Sequence, residues 1–375
     1  MGCWFNCFVN ITYLGGDIIK KVNIVLVISI ILISLFGLLM IYSSSYVWAD
    51  YKFNDSFKYV KNQSLFLIIG FLLMYFISKI NFENYYKYSN KIFLICFVLL
   101  ILVLFFGTER NGSKSWFGIG SFGIQPSEFM KLAMIIFTSK YLYNNRKLIG
   151  NIKKGVIPIL LLTLIIFGLI MLQPDFGTGL ILVMGVIGLL FVGGVNIKFF
   201  LKIGFLGISG IVGLIIAAPY RLKRILSFLN PWQDPLGSGF QIIQSLYAIG
   251  PGGLFGFGLG SSRQKHFYLP EPQTDFIFSI ISEEFGFVGV LIVSFLFITI
   301  IYTSIKIALK CNNLFGKYLA FGIVFELGFQ ALLNLMVVVG LVPVTGVTLP
   351  FLSYGGSSLL ITLLSMGIIL NISRH

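Results

Sequence analysis

Apolar runs of around 20 residues recur ten times along this chain, near 22–44, 63–80, 91–107, 127–143, 155–172, 176–193, 199–218, 276–304, 315–341 and 353–371. A run of that length crosses a hydrocarbon core about 30 Å thick. In lipid every backbone polar group must be paired within the segment, and a helix does this. Only 11% of the residues are charged, against about 25% in a soluble domain. The chain therefore reads as an all-α polytopic membrane protein, with residues 1–21 as an N-terminal segment and 22–374 as a single transmembrane domain. The fourth run is the least apolar, because Glu128, Lys131 and Lys140 interrupt it. The eighth is longer than a bilayer requires and is expected to tilt or project.

Charge orients the bundle. With the N-terminus inside, the cytoplasmic connections and termini carry 16 basic residues against two acids, and the opposite side carries 10 against seven. The positive-inside bias then places both termini in the cytoplasm and the 219–275 connection outside. The net charge of +14 is mostly this orientation signal and does not indicate nucleic acid. Lys20 and Lys21 precede the first apolar run and no small-residue cleavage site follows it, so no cleaved signal is expected. Cys3, Cys7, Cys96 and Cys311 suggest neither an external disulfide nor a metal site.

Residues 219–275 make one polar, Gly- and Pro-rich connection in a chain otherwise dominated by hydrocarbon. Loops of that length are functional or disordered. Trp232, Phe240, Tyr247, Phe255, Phe267 and Tyr268 argue against disorder. Phe240, Ile243, Leu246 and Tyr247 recur at helical spacing and predict a short interfacial or re-entrant helix. The glycines at 252–260 alternate with Leu and Phe, which suits a tightly packed or membrane-dipping loop better than a nucleotide cradle. An external site has no ATP pool, and no phosphate-binding loop signature is present. Any enzyme here needs a substrate that arrives activated, with no nucleotide.

Asp275 is the sharpest chemical candidate. It precedes Phe276, Ile277 and Phe278, and partial desolvation there raises a carboxyl toward the range of a general base. The competing role is an N-cap of the eighth helix, from Thr274 or Asp275. Glu271, between two prolines, either orients a metal or hydroxyl or is simply exposed. The external basic residues Arg221, Lys223 and Arg224, with Arg263, Lys265 and His266 further on, fit an anionic head group or pyrophosphate, or snorkelling at a helix end. Inside the spans, Glu128 and Lys131 either pair across one helix turn or offer the lysine to a phosphate. Glu283, Glu284 and Glu326 are functional candidates because intramembrane charge is costly; helix-to-helix hydrogen bonding is the simpler account of the first two.

Five motifs occur in one order: NGSKSWFGIGSFGIQPSEFMKLA, LQPDFGTGLIL, LSFLNPWQDPLGSGFQIIQSLYAIG, GLGSSRQKHFYLPEPQTDFIFSIISEEFGFVG and VPVTGVTLPFLSYGGSS. Together they resemble the SEDS family of RodA, FtsW and SpoVE over about residues 22–374, closest to the FtsW/SpoVE branch. The resemblance implies a ten-helix fold that polymerises lipid II on the outer face of the bacterial cytoplasmic membrane, with undecaprenyl pyrophosphate as leaving group. It implies a class B penicillin-binding protein as partner, other divisome or elongasome proteins around it, and a divalent cation, Mg2+ or Mn2+. The family's essential aspartate falls on Asp275, its lysine after Q-P-S-E on Lys131, and its motif tryptophan on Trp116. Glu128, Glu271 and Gln241 are further substrate-binding candidates within these motifs. Some relatives carry a basic residue where this chain has Gly123, which leaves Lys114 as the candidate for that phosphate contact. Two other functions stand beside it: a flippase that uses the same basic head-group contacts to move lipid II without a covalent step, and a scaffold that recruits the transpeptidase, which leaves the external acid and basic residues without a role.

Overall fold

A computed structural model of the chain describes residues 15–110, 113–118, 123–202, 204, 228–237 and 239–374. The long helices are α1 (Gly15–Phe53), α2 (Lys58–Ile77), α3 (Glu83–Phe106), α4 (Pro126–Asn144), α5 (Ile157–Met171) and α6 (Phe176–Val192). A short α7 (Phe240–Ile249) lies in the long connection, followed by α8 (Ile277–Lys310), α9 (Leu314–Val338) and α10 (Gly356–Ile372). Among the described residues, six of these helices are long and apolar enough to cross a membrane: α1, α2, α3, α5 with the turn before it, α8 and α9. The helices α6 and α10 are apolar but shorter. The seventh expected span is helical over 197–202 and otherwise lies mostly outside the described residues, as do Arg221, Lys223 and Arg224.

The fourth run is weak in hydropathy because of where it sits. Helix α4 packs against α3, α6 and α9, and Glu128, Lys131, Thr138 and Ser139 are all buried inside the protein. Its polar groups are shielded by neighbouring helices, so the run need not read as lipid-facing. Helix α9 is likewise buried over much of its length, between α4, α6 and α8. Around this centre α10 packs on α2, and α8 packs on α1.

The structure adds three features to these expectations. The fold is not purely helical: Thr108–Arg110 (β1) and Ser113–Trp116 (β2) pair antiparallel, helped by alternating burial that hides Ser115 and exposes Lys114. Helix α1 runs on to Phe53, beyond the expected end near 44. Helix α8 handles its excess length by a break at Gly286, whose φ of 60° lies outside the helical region. The glycine-rich loop is clasped into that break. Phe257 and Gly258 donate backbone hydrogen bonds to Glu283 O and Glu284 O, and Phe287 and Val288 donate back to Gly253 O and Leu254 O. A Cβ on Gly286 would lie 2.5 Å from the Gly256 nitrogen, so only glycine permits this approach.

Candidate active site

Asp275 sits two residues before α8, and it does not cap that helix. The N-cap is Phe276, without a side-chain bond. Thr274 turns its hydroxyl back to Glu271 O, at 2.8 Å. What holds Asp275 is its backbone: Asn334 on α9 donates from Nδ2 to Asp275 O at 2.7 Å. The same nitrogen donates to Val347 O at 2.7 Å. A Cβ on Gly346 would stand 3.8 Å from Asp275 Oδ2, so the 345–348 segment lines one side of the carboxylate. Among the described residues the carboxylate itself has no hydrogen-bond or ion-pair partner. Burial pushes its pKa up to about 7, helped by the nearby negative charges of Glu271 and Asp175.

Asp175 was not singled out from the sequence, although it lies in the LQPDFGTGLIL motif. It caps α6, accepting from Thr178 N at 3.1 Å, and its second oxygen accepts from Gln125 Nε2 at 2.8 Å. Burial raises its pKa in spite of the Thr178 hydrogen bonds. Helix α6 reaches the site because Gly177 permits close contact: a Cβ there would lie 2.5 Å from Thr345 O. Gln125 also ties the start of α4 to α10, since its backbone N–H donates to Ser357 Oγ, which donates on to Gly123 O.

Beneath this carboxylate pair lies Lys131, fully enclosed. Its ammonium is 3.0 Å from Glu128, 3.9 Å from Glu326 and 2.9 Å from Gln330 Oε1. Of the two readings of Glu128 and Lys131, the helix-turn pair is the one observed. Two of the Lys131 donors are taken by protein acceptors, Glu128 and Gln330 Oε1, and the Glu326 carboxylate stands beyond hydrogen-bond distance. Glu326 and Gln330 complete its surroundings from α9, one turn apart.

The other expected substrate contacts are placed as follows on the fold. Lys265 is buried and ion-paired with Glu284 at 3.1 Å, and its ammonium lies 4.8 Å from the Tyr46 ring. It is a structural cation here, enclosed because α1 and the α8 break close over it. Glu283 and Glu284 are met mainly by the loop and α1: Ser262 and Arg263 N bond Glu283, and Ser43 bonds Glu284. Arg263 itself is exposed, with its guanidinium 5.1 Å from the Phe257 ring. Lys114 is exposed and donates to Phe105 O at 3.3 Å, capping the end of α3. Trp116 is half-buried in β2, and its carbonyl accepts from Thr108. Glu271 is half-buried near Asp275, at a φ of 44°. Gln241 is half-buried on α7. That helix buries Ile242, Ile243, Ser245 and Ala248, one step round from the expected face, and Ser245 fastens it to Val338 O. Arg221 and Arg224 lie outside the described residues.

Among the described residues no group of three or more His, Cys, Asp or Glu is placed to hold a metal ion. The described side chains thus build no protein cage for a divalent cation.

Fold and site together define a polytopic helical membrane protein with one unpaired, partly desolvated carboxylate held over a buried ionic cluster. The chain belongs to the FtsW/RodA/SpoVE family: the family model described as a cell cycle protein matches residues 23–375. Stage V sporulation protein E of Bacillus subtilis (strain 168) is 54% identical to it, covering 94% of this chain and 97% of that protein. A probable peptidoglycan glycosyltransferase FtsW of Geobacter sp. (strain M18) is 41% identical, covering 94% and 96%. Among solved structures, one described as showing structural coordination of polymerization and crosslinking by a peptidoglycan synthase complex aligns with a TM-score of 0.77 at 33% identity, covering 93% of this chain and 96% of that one. The rod shape determining protein RodA of Thermus thermophilus aligns at 0.69 and 30% identity, covering 93% and 95%.

Proposed function

We propose that the chain is a peptidoglycan glycosyltransferase that polymerises lipid II on the outer face of the bacterial cytoplasmic membrane, with Asp275 as general base. The observation that carries this reading is the Asp275 carboxylate itself, backbone-clamped, without a partner, and with a pKa raised to about 7. A base with a pKa near the operating pH combines a substantial ionised fraction with enough basicity to take a proton. The acceptor sugar's 4-hydroxyl gives its proton to Asp275 as its oxygen attacks the donor's anomeric carbon. The bond from that carbon to the pyrophosphate breaks, with inversion, and undecaprenyl pyrophosphate leaves. No outside energy is required, because the donor carries its own leaving group.

The departing pyrophosphate needs positive charge. Arg263, exposed and without an ion pair among the described residues, is one candidate, and Arg221 and Arg224, earlier in the same 219–275 connection, are the others. A Mg2+ or Mn2+ ion would arrive on the pyrophosphate oxygens, since Mg2+ commonly binds through substrate phosphates and one or two carboxylates. The enzyme names of the FtsW relatives and the synthase complex among the structural neighbours support this reading. They also support a class B penicillin-binding protein as partner. The ten apolar runs set the span count of this reading, and the charge asymmetry between their connections puts both termini in the cytoplasm.

The test is purified protein with its partner, fluorescent lipid II and a divalent cation. Glycan ladders that disappear in Asp275→Ala are expected. Head-group translocation without ladders, unaffected by that substitution, would establish a flippase; neither activity would leave a scaffold.

A further inference from the structure

Lys131 and Asp275 are joined by an open chain of hydrogen bonds, with one covalent step between Thr348 and Val347, that runs along one stripe of α9 and ends on the Asp275 backbone oxygen. Glu326, Gln330 and Asn334 are spaced four residues apart, so they share a face and rise about 6 Å per step. At the lower two, Glu326 and Gln330 Oε1 receive the Lys131 ammonium. Gln330 Nε2 then donates to Thr348 O at 3.0 Å. One residue back along that segment, Val347 O accepts from Asn334 Nδ2, which also holds Asp275 O.

The two amides have only one workable orientation each. Both partners of Asn334 Nδ2 are carbonyl oxygens, which only the NH2 end can serve. Gln330 must face its oxygen to the ammonium and its nitrogen to Thr348 O. Turning either amide over sets acceptor against acceptor in a dry interior, where an unmade bond is costly. The circuit is therefore directional and depends on Lys131 being present and charged. Direct contact between Lys131 and a pyrophosphate, by contrast, would require displacing Glu128 and Gln330 from an enclosed cluster.

We infer that Lys131 is a positioning residue, which sets the placement of Asp275 through Gln330, the 347–348 segment and Asn334 rather than by binding the leaving group. The inference rests on the reading of Asp275 as the base. A displacement of about 1 Å at a reacting group costs on the order of 10²-fold in rate. Loss of any member of the circuit should therefore lower kcat and leave KM for lipid II nearly unchanged. The members should also fail together: once one is gone, removing a second adds little, unlike distant independent sites, whose effects multiply.

The experiment is steady-state polymerisation of fluorescent lipid II by the full chain with its partner, for Lys131→Met, Gln330→Leu, Asn334→Leu and the double variants. The expected result is a fall in kcat of roughly 10- to 100-fold in each single variant. KM should stay within about twofold, and each double variant should be no worse than its worse single. A raised KM with intact kcat in Lys131→Met, or multiplicative doubles, would overturn the inference. Lys131→Met leaves two carboxylates enclosed, so its unfolding midpoint is measured alongside. If it does not fold, the uncharged pair Gln330→Leu and Asn334→Leu carries the same additivity test. Asp275→Asn is run in parallel: ladders from that variant would sink the general-base reading itself, whatever the circuit variants do.

Discussion

Lys265 and Glu284 form an ion pair 3.1 Å apart in which neither side chain retains any exposure. The carboxylate is also served by Ser43 Oγ and by Ser262 N, so the pair pins the connection before α8 to both α1 and α8. Breaking a buried pair from one side leaves an uncompensated charge and costs about 3–5 kcal/mol, whereas replacing both partners with apolar residues is often nearly neutral. Lys265→Met should lower the unfolding midpoint in detergent sharply, and Lys265→Met with Glu284→Leu should recover most of the loss. A Lys265→Met protein of normal stability that had merely lost lipid II affinity would return Lys265 to the substrate site.

The clasp between the glycine-rich loop and the α8 break predicts a second sensitivity. Gly286→Ala puts a Cβ 2.5 Å from the Gly256 nitrogen at a φ of 60°. The strained backbone alone is worth about 1–3 kcal/mol, and the clash adds to it. The loop at 252–260 should detach and become cleavable in limited proteolysis, while the remaining helices stay protected. Unchanged protection in that segment would show that the loop is held by other means.

The sequence made the multi-pass helical character legible because hydrocarbon thickness fixes span length, and six of the ten expected runs form helices of that length among the described residues. Where neighbours decide the environment, it was silent. The charges of α4 look like defects in a lipid-facing run until α3, α6 and α9 enclose them. Lys265 reads as an external cation because nothing in the chain announces that Glu284 will meet it from the broken helix. Asp275 was found by its position before an apolar run, but its N-cap role was not realised, since the helix starts one residue later and Thr274 turns away. Two signals were available and went unused. Asp175 followed by Thr178 at the head of an apolar run is a cap pattern that also marks a buried carboxylate. Glu326, Gln330 and Asn334 form a polar stripe at helical spacing in an otherwise apolar helix.

Orientation can be read with thiol labelling. Lys52, Tyr268 and Lys310 are exposed, and beyond its break at Gly286 α8 runs on for about 36 Å to Lys310. With Cys3 and Cys7 replaced, Lys52→Cys and Tyr268→Cys should react with a membrane-impermeant maleimide in intact cells. Lys310→Cys should react only after lysis. The buried Cys96 and Cys311 should contribute little background. Labelling of Lys310→Cys from outside would invert the proposed topology and remove the external site.

Asp275 should weaken the fold that holds it. Its pKa is raised from 3.8 to about 7 by burial and by Glu271 and Asp175. Between those values the folded chain binds more protons than the unfolded chain, so stability falls as pH rises through that window and levels off above it. Asp275→Asn removes this cost, which is about 1–4 kcal/mol at pH 8. The variant should therefore melt above the parent at pH 8, and the gap should narrow at pH 5.5. An Asn variant that is less stable at pH 8 would mean that the carboxylate is favourably paired.

The same electrostatics sets the pH dependence of the reaction. Polymerisation by the parent should fall as pH drops through about 7, where Asp275 takes up its proton. Asp175 is one of the negative charges that raise that value, so Asp175→Asn should move the acidic limb to lower pH. The substitution keeps an oxygen for the Thr178 N–H that caps α6, and Gln125 can turn its own amide oxygen toward the new NH2 group. The shift should therefore appear without a large loss of stability, which a melting curve on the same sample checks. A limb that stays in place would mean that burial and Glu271 alone set the Asp275 pKa. A limb that moves to higher pH would mean that the substitution has deepened the burial of Asp275.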